Sequence, residues 1–374
     1  MDRREYQKYA ARGNVNAGNR QKIRDCMKKA LAGKPVKIGF LGGSVTQGSL
    51  ASSPETCYAY LVYSWWKNKF PLSEVSYLNA GIGATTSQFG AARVKEDLLA
   101  EKPDFAVIDF SVNDEPTKFF EETYEGLIRT VLESKCSPAV LLLFNVRYDN
   151  GISAEKYHLR IGEAYHLPCV SMKSPLYQNV VSGQIRVHDI SPDGLHPNDF
   201  GHRLIADTLI ACLEGIYQDL GTKENLDSVL PQPLTPNRYQ KSALLRNGSS
   251  EPVCSGFAKD LRPRQNISDC FKRGWTAFRE GASILFEADG TGIAVQYRKS
   301  VKHPAPAAEA IIDGDEAHAV RLDANFDETW GDCLFITTVA QNLPKGKHRL
   351  EIRLVKSTQN PVTEFYLASV IESQ

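Results

Sequence analysis

The sequence predicts an α/β domain with a doubly wound parallel sheet, followed by an all-β sandwich. Three observations predict it. Short β-rich runs alternate with stretches of helical period from residue 18 to about 218, a proline-punctuated stretch without period follows, and from about residue 237 short alternating runs recur between turn signals. At 374 residues the chain is longer than one ordinary domain, so two are expected. The boundaries read as 1–220 for the α/β domain, 221–236 for a linker and 237–374 for the sandwich.

The strand runs of the first domain are "VKIGFL" (36–41), "EVSYLNA" (74–80), "DFAVIDF" (104–110) and "AVLLLFN" (139–145). Each is dense in β-branched and apolar residues, as parallel strands covered on both faces must be. Between them lie "ETCYAYLVYSWWKNKF", "SQFGAARVKEDLLAEK" and "KFFEETYEGLIRTVLESK", with apolar residues at helical spacing and charges on the other side. A last helix, "PNDFGHRLIADTLIACLEGIYQDL", is expected to start at Pro197, because a first-turn N–H has no intrahelical acceptor to lose.

After Leu220, "GTKENLDSVLPQPLTPNRYQ" has three prolines and reads as a linker or an extended strap. Beyond it come "ASILFEA", "GIAVQYRKS", "EAIIDG", "DCLFITTVA", "HRLEIRLVKS" and "EFYLASVIE", separated by turn signals such as "ADGTG", "IDGDE" and "PKGKH". That spacing is characteristic of a β-sandwich.

Composition excludes several function classes. Lysine plus arginine and aspartate plus glutamate number 44 each, so no global field favours nucleic acid, an anionic membrane or an acidic partner. A near-neutral substrate fits best. The opening "MDRREYQKYAARGNVNAGNR" lacks the apolar core of a signal peptide, and no stretch approaches the ~20 apolar residues of a membrane span. The eight cysteines are scattered with no CxxC pair, as reduced thiols are. A cytoplasmic setting is expected on these grounds, and the sequons at Asn247 and Asn266 carry no weight.

The chemistry is expected where strands end, because open α/β sheets bind ligands at the carboxyl edge. "KIGFLGGSVTQGSL" leaves its strand through Gly42 and Gly43 and puts Ser44 at the corner. It lacks the Lys-Ser/Thr ending of a phosphate loop. "SPDGLHPNDFGHRL" places Asp193 three residues before His196, close enough for the carboxylate to fix the imidazole and stabilise its protonated form. "YLNAGIGATTS" offers backbone N–H groups around Asn79, Gly81 and Gly83, and "VIDFSVNDEP" offers the uncharged amide of Asn113. Each alone has a structural explanation: a tight turn, an Asn-Asp helix N-cap before "TKFFEETYEG", a surface histidine. Together, in this order, they make a reactive serine with a base and oxyanion donors.

The four segments resemble the SGNH (GDSL-type) hydrolase family, whose blocks are named for Ser, Gly, Asn and His. "GGSVTQG" resembles the nucleophile block, "SVND" the oxyanion block and "DGLH" the block with the other two triad members, over residues 36 to 218. The family's Gly-Asp-Ser is Gly42-Gly43-Ser44 here, and its glycine before x-Asn-Asp is Ser111. The resemblance implies a flavodoxin-like catalytic domain with Ser44 as nucleophile, His196 as base and Asp193 as its orienter. It implies an oxyanion hole from the N–H groups of Ser44 and of Gly83 or Ala84, with Gly83 preferred, and from Asn113. It implies no metal or organic cofactor. The remaining histidines lack metal spacing, and His202 is expected to be structural.

Many members deacetylate carbohydrates, while others act on lysophospholipids, thioesters or longer acyl chains. The β-rich segment resembles carbohydrate-binding modules with a jelly-roll-like sheet. Trp330, in "NFDETWGD", is either a sugar-stacking residue or a half-buried core residue, and of Trp65 and Trp66 one is expected in the core and one at the surface. Asp313 and Asp315 read as a hairpin turn rather than a calcium site. The expected function is removal of acetyl groups from acetylated oligosaccharides of hemicellulose type, including mannan-derived ones. A thioesterase or lysophospholipase is the alternative, a non-catalytic carbohydrate-binding protein the last, and a homodimer is compatible with the exposed sandwich.

Overall fold

The structure, a computed structural model, describes residues 1–226, 229–356 and 360–374. It divides into two compact units, Met1–Gly90 with Val94–Asn237, and Ala91–Arg93 with Arg238–Gln374.

The first unit opens with α1 (Arg3–Ala10), β1 (Asn14–Asn16) and α2 (Gln21–Leu31). It continues through β2 (Val36–Gly42), α3 (Ser44–Gln47), α4 (Tyr58–Lys69), β3 (Val75–Gly81), α5 (Ser87–Asp97) and β4 (Phe105–Asp109). Then follow α6 (Lys118–Leu132), β5 (Ala139–Phe144), α7 (Glu155–Ala164), β6 (Cys169–Ser171), α8 (Gln178–Val181), α9 (Val187–Ile190) and α10 (Asp199–Gln218). The sheet order is β1-β6-β5-β4-β2-β3. All neighbours are parallel except β1, which runs antiparallel to β6. Leaving β1 aside, this is the flavodoxin-like order, whose direction reverses between β2 and β4. Every residue of β4 and β5 is buried, as strands covered by helices on both faces require.

The four long strand runs of the sequence are β2 to β5, within a residue or two at each end. β1 and β6 are new, each only three residues long. The last helix begins at Asp199, not at Pro197, because Asn198 is its N-cap and its side chain accepts from Gly201 N–H. Residues 221–226 and 229–237 belong to this unit, where Leu234 N–H and Thr235 N–H both donate to the Glu125 carboxylate on α6. Asp227 and Ser228 of the proline-rich stretch, and Ser357 of the run "HRLEIRLVKS", lie outside the described residues. No helix among the described residues is long and apolar enough to cross a membrane.

The second unit is all antiparallel β. Its strands are β7 (Ala243–Leu245), β8 (Val253–Ser255), β9 (Ala258–Lys259), β10 (Trp275–Ala277), β11 (Ser283–Gly290) and β12 (Gly292–Lys299), then β13 (Ala307–Ile312), β14 (Val320–Asp323), β15 (Cys333–Ala340), β16 (Gly346–Leu354) and β17 (Phe365–Ser373). One sheet runs β15-β12-β17-β10-β9 with β7 also on β17, and the other runs β14-β13-β16-β11-β8. Inward residues of both sheets, among them Val295, Tyr297, Phe365 and Leu367 from one and Ile284, Phe286, Leu350 and Ile352 from the other, share one core, as a sandwich requires. The "DGD" segment joins β13 to β14, a hairpin pair, and Asp313 accepts from His348 Nδ1 (2.7 Å) and Arg349 N–H (2.8 Å).

Candidate active site

The strand ends that meet at the reversal of the sheet carry the candidate residues. Gly42, the last residue of β2, pairs with Gly81 on β3 and with Asp109 on β4. The loops after these three residues therefore emerge side by side. Ser44 opens α3, so its N–H has no intrahelical acceptor. Its side chain sits at the corner with the residue only 7% exposed.

His196 Nε2 lies 2.9 Å from Ser44 Oγ, and His196 Nδ1 lies 2.7 Å from Asp193 Oδ2. Asp193 Oδ1 accepts from the N–H groups of Leu195 (2.9 Å) and His196 (2.7 Å), which tightens the loop so that carboxylate and ring face each other. Burial alone would raise the Asp193 carboxyl; the His196 ring and these N–H groups outweigh it and hold it at about 2. The loop is pinned by Tyr148 N–H donating to Gly194 O (2.7 Å). Ser44, His196 and Asp193 thus form a relay in which a proton can leave Oγ for Nε2 while the carboxylate stabilises the resulting cation.

Asn113 follows β4 and lies against the Gly43–Ser44 turn. A Cβ on Gly43 would come within 2.2 Å of Asn113 Oδ1, so the departure from Gly-Asp-Ser makes room for the Asn113 amide. Ser111, the other departure, places its hydroxyl within reach of Asp109 Oδ1 (3.0 Å) and Asn145 O (2.9 Å). Asn145 Nδ2 donates to Asp109 Oδ2 at 2.6 Å. Burial raises the Asp109 carboxyl, with Asn145 and Ser111 opposing.

The β3–α5 loop distributes its donors differently from the expectation. Gly81 N–H donates to Asn79 Oδ1, Ile82 N–H to Gly42 O, and Gly83 N–H to Gln47 Oε1 (2.7 Å). Gly83, the preferred donor, is thus engaged. The N–H of its neighbour Ala84 meets no acceptor among the described residues, and Ala84 holds a left-handed φ of +57°. A non-glycine residue there is strained, and such strain gathers at functional sites.

Three further residues support the site and escape a motif search. Asp114 is not an N-cap for α6, whose cap is Thr117. Its side chain is fully buried and accepts from Ser87 N–H at the start of α5 (2.8 Å), a favourable place for an anion. The other carboxylate oxygen meets His158 Nε2 at 3.1 Å. His158 Nδ1 has no partner among the described residues, and Nε2 faces a carboxylate oxygen that can only accept, so Nε2 is the donor. Gln47 stands one helical turn after Ser44. The dipeptide Asn113-Asp114 and the i,i+3 spacing of Ser44 and Gln47 were the available signals.

His202 is structural. Tyr58 N–H donates to its Nδ1 and its Nε2–H donates to Ser49 O, both at 3.3 Å, and burial lowers its pKa to about 4. Trp66 is fully buried as expected, while Trp65, expected at the surface, is half-buried and packs against the same core. Trp330, in the second unit, is 61% exposed and packs edge-to-face on Phe326 at 5.0 Å.

Residues 40–204 match the GDSL-like Lipase/Acylhydrolase family. The crystal structure of a two-domain esterase (CEX) active on acetylated mannans is 50% identical, with 98% of each chain covered and a TM-score of 0.95. The same esterase co-crystallized with mannopentaose gives 51% identity, 98% coverage of each chain and a TM-score of 0.93. Thioesterase 1/protease 1/lysophospholipase L1 of Escherichia coli (strain K12) is 26% identical over 184 residues, which are 47% of this chain and 82% of that protein. With its serine and asparagine segments following β2 and β4, its Asp-x-x-His segment just before α10, and half its residues shared along a two-domain esterase, the chain belongs to the GDSL-like lipase/acylhydrolase family.

Proposed function

We propose that the protein is a serine esterase that removes acetyl groups from acetylated manno-oligosaccharides. The Asp193–His196–Ser44 relay carries the reading, in a chain half identical over nearly its whole length to an esterase active on acetylated mannans. Ser44 Oγ attacks the ester carbonyl while His196 Nε2 takes its proton, and Asp193 holds the ring. The tetrahedral oxyanion accepts from Ser44 N–H, the Asn113 amide and the loop after β3. There Ala84 N–H is the better donor, since Gly83 N–H is already used by Gln47. His196 returns the proton to the leaving sugar hydroxyl and then activates water to release acetate. Neither step calls on a metal or organic cofactor.

Within the sandwich, the exposed Trp330 is the residue suited to stack on a pyranose face. All eight cysteines are free, which suits a reducing compartment. The name of the Escherichia coli relative keeps a longer acyl group as the second reading. Acetate release from acetylated manno-, xylo- and gluco-oligosaccharides, beside p-nitrophenyl esters of increasing chain length, separates the two. Preference for acetylated manno-oligosaccharides is expected; faster turnover of octanoyl than acetyl esters with no release from any sugar would overturn the reading.

A further inference from the structure

We infer that Gln47 reads a hydroxyl of the sugar next to the scissile acetyl, a role that rests on the carbohydrate-esterase reading above. Its carboxamide is fixed on one side. Gly83 N–H can only donate, so the atom facing it at 2.7 Å must be the amide oxygen. That leaves Nε2, which has no acceptor among the described residues, directed away from Gly83 on an exposed side chain. The position is adjacent to the chemistry: a Cβ built on Gly83 would lie 2.9 Å from Gln47 Oε1 and 3.8 Å from Ser44 Cβ. An ester carbonyl delivered to Ser44 therefore brings its alcohol within reach of two unused N–H donors.

The backbone beneath Gln47 is held as tightly as the side chain. Gln47 N–H donates to Gly43 O at 2.9 Å, and Thr46 O accepts from Asn79 Nδ2 at 2.7 Å. The end of β3 presses so closely on α3 that a Cβ on Gly81 would lie 2.2 Å from Gln47 N. A donor locked in place beside the nucleophile discriminates between substrates, because its partner must sit at one position. Uncharged N–H donors match a neutral polyol. They offer nothing to an alkyl chain, which would leave them unpaired.

The test uses the full chain with two substitutions. Gln47→Glu keeps an acceptor for Gly83 N–H and removes the donors, while Gln47→Met removes both. The kcat/KM for an acetylated manno-oligosaccharide is measured beside that for p-nitrophenyl acetate, which has no sugar hydroxyl. The ratio of the two is expected to fall roughly tenfold or more in both variants. Equal losses on both substrates, which leave the ratio unchanged, would show that Gln47 only props the Gly83 loop, and unchanged kcat/KM on both would show that it reads nothing; either overturns the inference alone. Wild-type protein that hydrolyses p-nitrophenyl acetate but releases nothing from any oligosaccharide would overturn the carbohydrate reading and this inference with it.

Discussion

The Asn113 carboxamide fills the space that a side chain on Gly43 would need: a Cβ there would lie 2.2 Å from Asn113 Oδ1 and 2.7 Å from its Cγ. The turn at Gly43 and the Asn113 amide are thus fitted to each other. Gly43→Ala is expected to displace the amide and lower kcat by about 10²-fold, as losing one oxyanion donor does. Asn113→Ala should cost the same, and the double variant no more than either alone. Steady-state kinetics on the set checks this, and additive losses would mean that Gly43 acts elsewhere.

Asp193 titrates at about 2, below its ordinary 3.8, because its bonds to the His196 ring and loop N–H groups outweigh burial. A depressed carboxylate contributes stability that is full above its unfolded value and lost as pH falls through the folded one, here between 3.8 and about 2. Above about pH 4.5 the Asp193 carboxylate therefore stays ionised and takes up no proton. The acid limb of log kcat/KM is expected to fall with a slope of one. A slope of two in that range would show Asp193 titrating with its partner.

His202 gives a second pH effect. Burial depresses its pKa from 6.5 to about 4, so the folded state favours the neutral ring. Its contribution is complete above about 6.5 and is lost as pH falls towards 4, a span worth roughly 3 kcal/mol. Urea unfolding at pH 7.5 and 4.5 should show a smaller pH loss in His202→Gln, whose amide can keep the bonds to Tyr58 N–H and Ser49 O. An identical pH loss in the variant would place the effect elsewhere.

Much of the site was legible because its chemistry is local in sequence. Asp193 and His196 are three apart, and Ser44 and Asn113 each follow closely on a strand whose apolar run is unmistakable. What stayed hidden depends on distant pairing. Gly83 N–H reads as available from its glycine-rich turn, but it donates to Gln47, 36 residues earlier. Asp114 read as a cap for the helix that follows it, yet it receives the first N–H of α5, 27 residues earlier. The strands β1 and β6 are too short to show a period, and the start of α10 shifted because the Asn198 side chain competes with Pro197 for the cap.

Asp114 is expected to position Asn113 without touching substrate. Asp114→Ala strands the buried donors Ser87 N–H and His158 Nε2–H, which should cost about 3 kcal/mol of stability. It should also lower kcat more than it raises KM, because the adjacent Asn113 amide loses its anchor. Asp114→Asn, which can still accept from Ser87, should recover part of both. Unfolding curves and kinetics on the two variants decide it; a KM effect without a kcat effect would contradict the positioning role.

The most direct test is acetate release from an acetylated manno-oligosaccharide by the wild type and by Ser44→Ala at equal concentration, with both shown to unfold at the same temperature. The wild type should release acetate and Ser44→Ala should be slower by about 10⁴-fold or more, since the residual rate comes from binding and the oxyanion donors alone. Release by Ser44→Ala within tenfold of the wild type would mean that Ser44 is not the nucleophile.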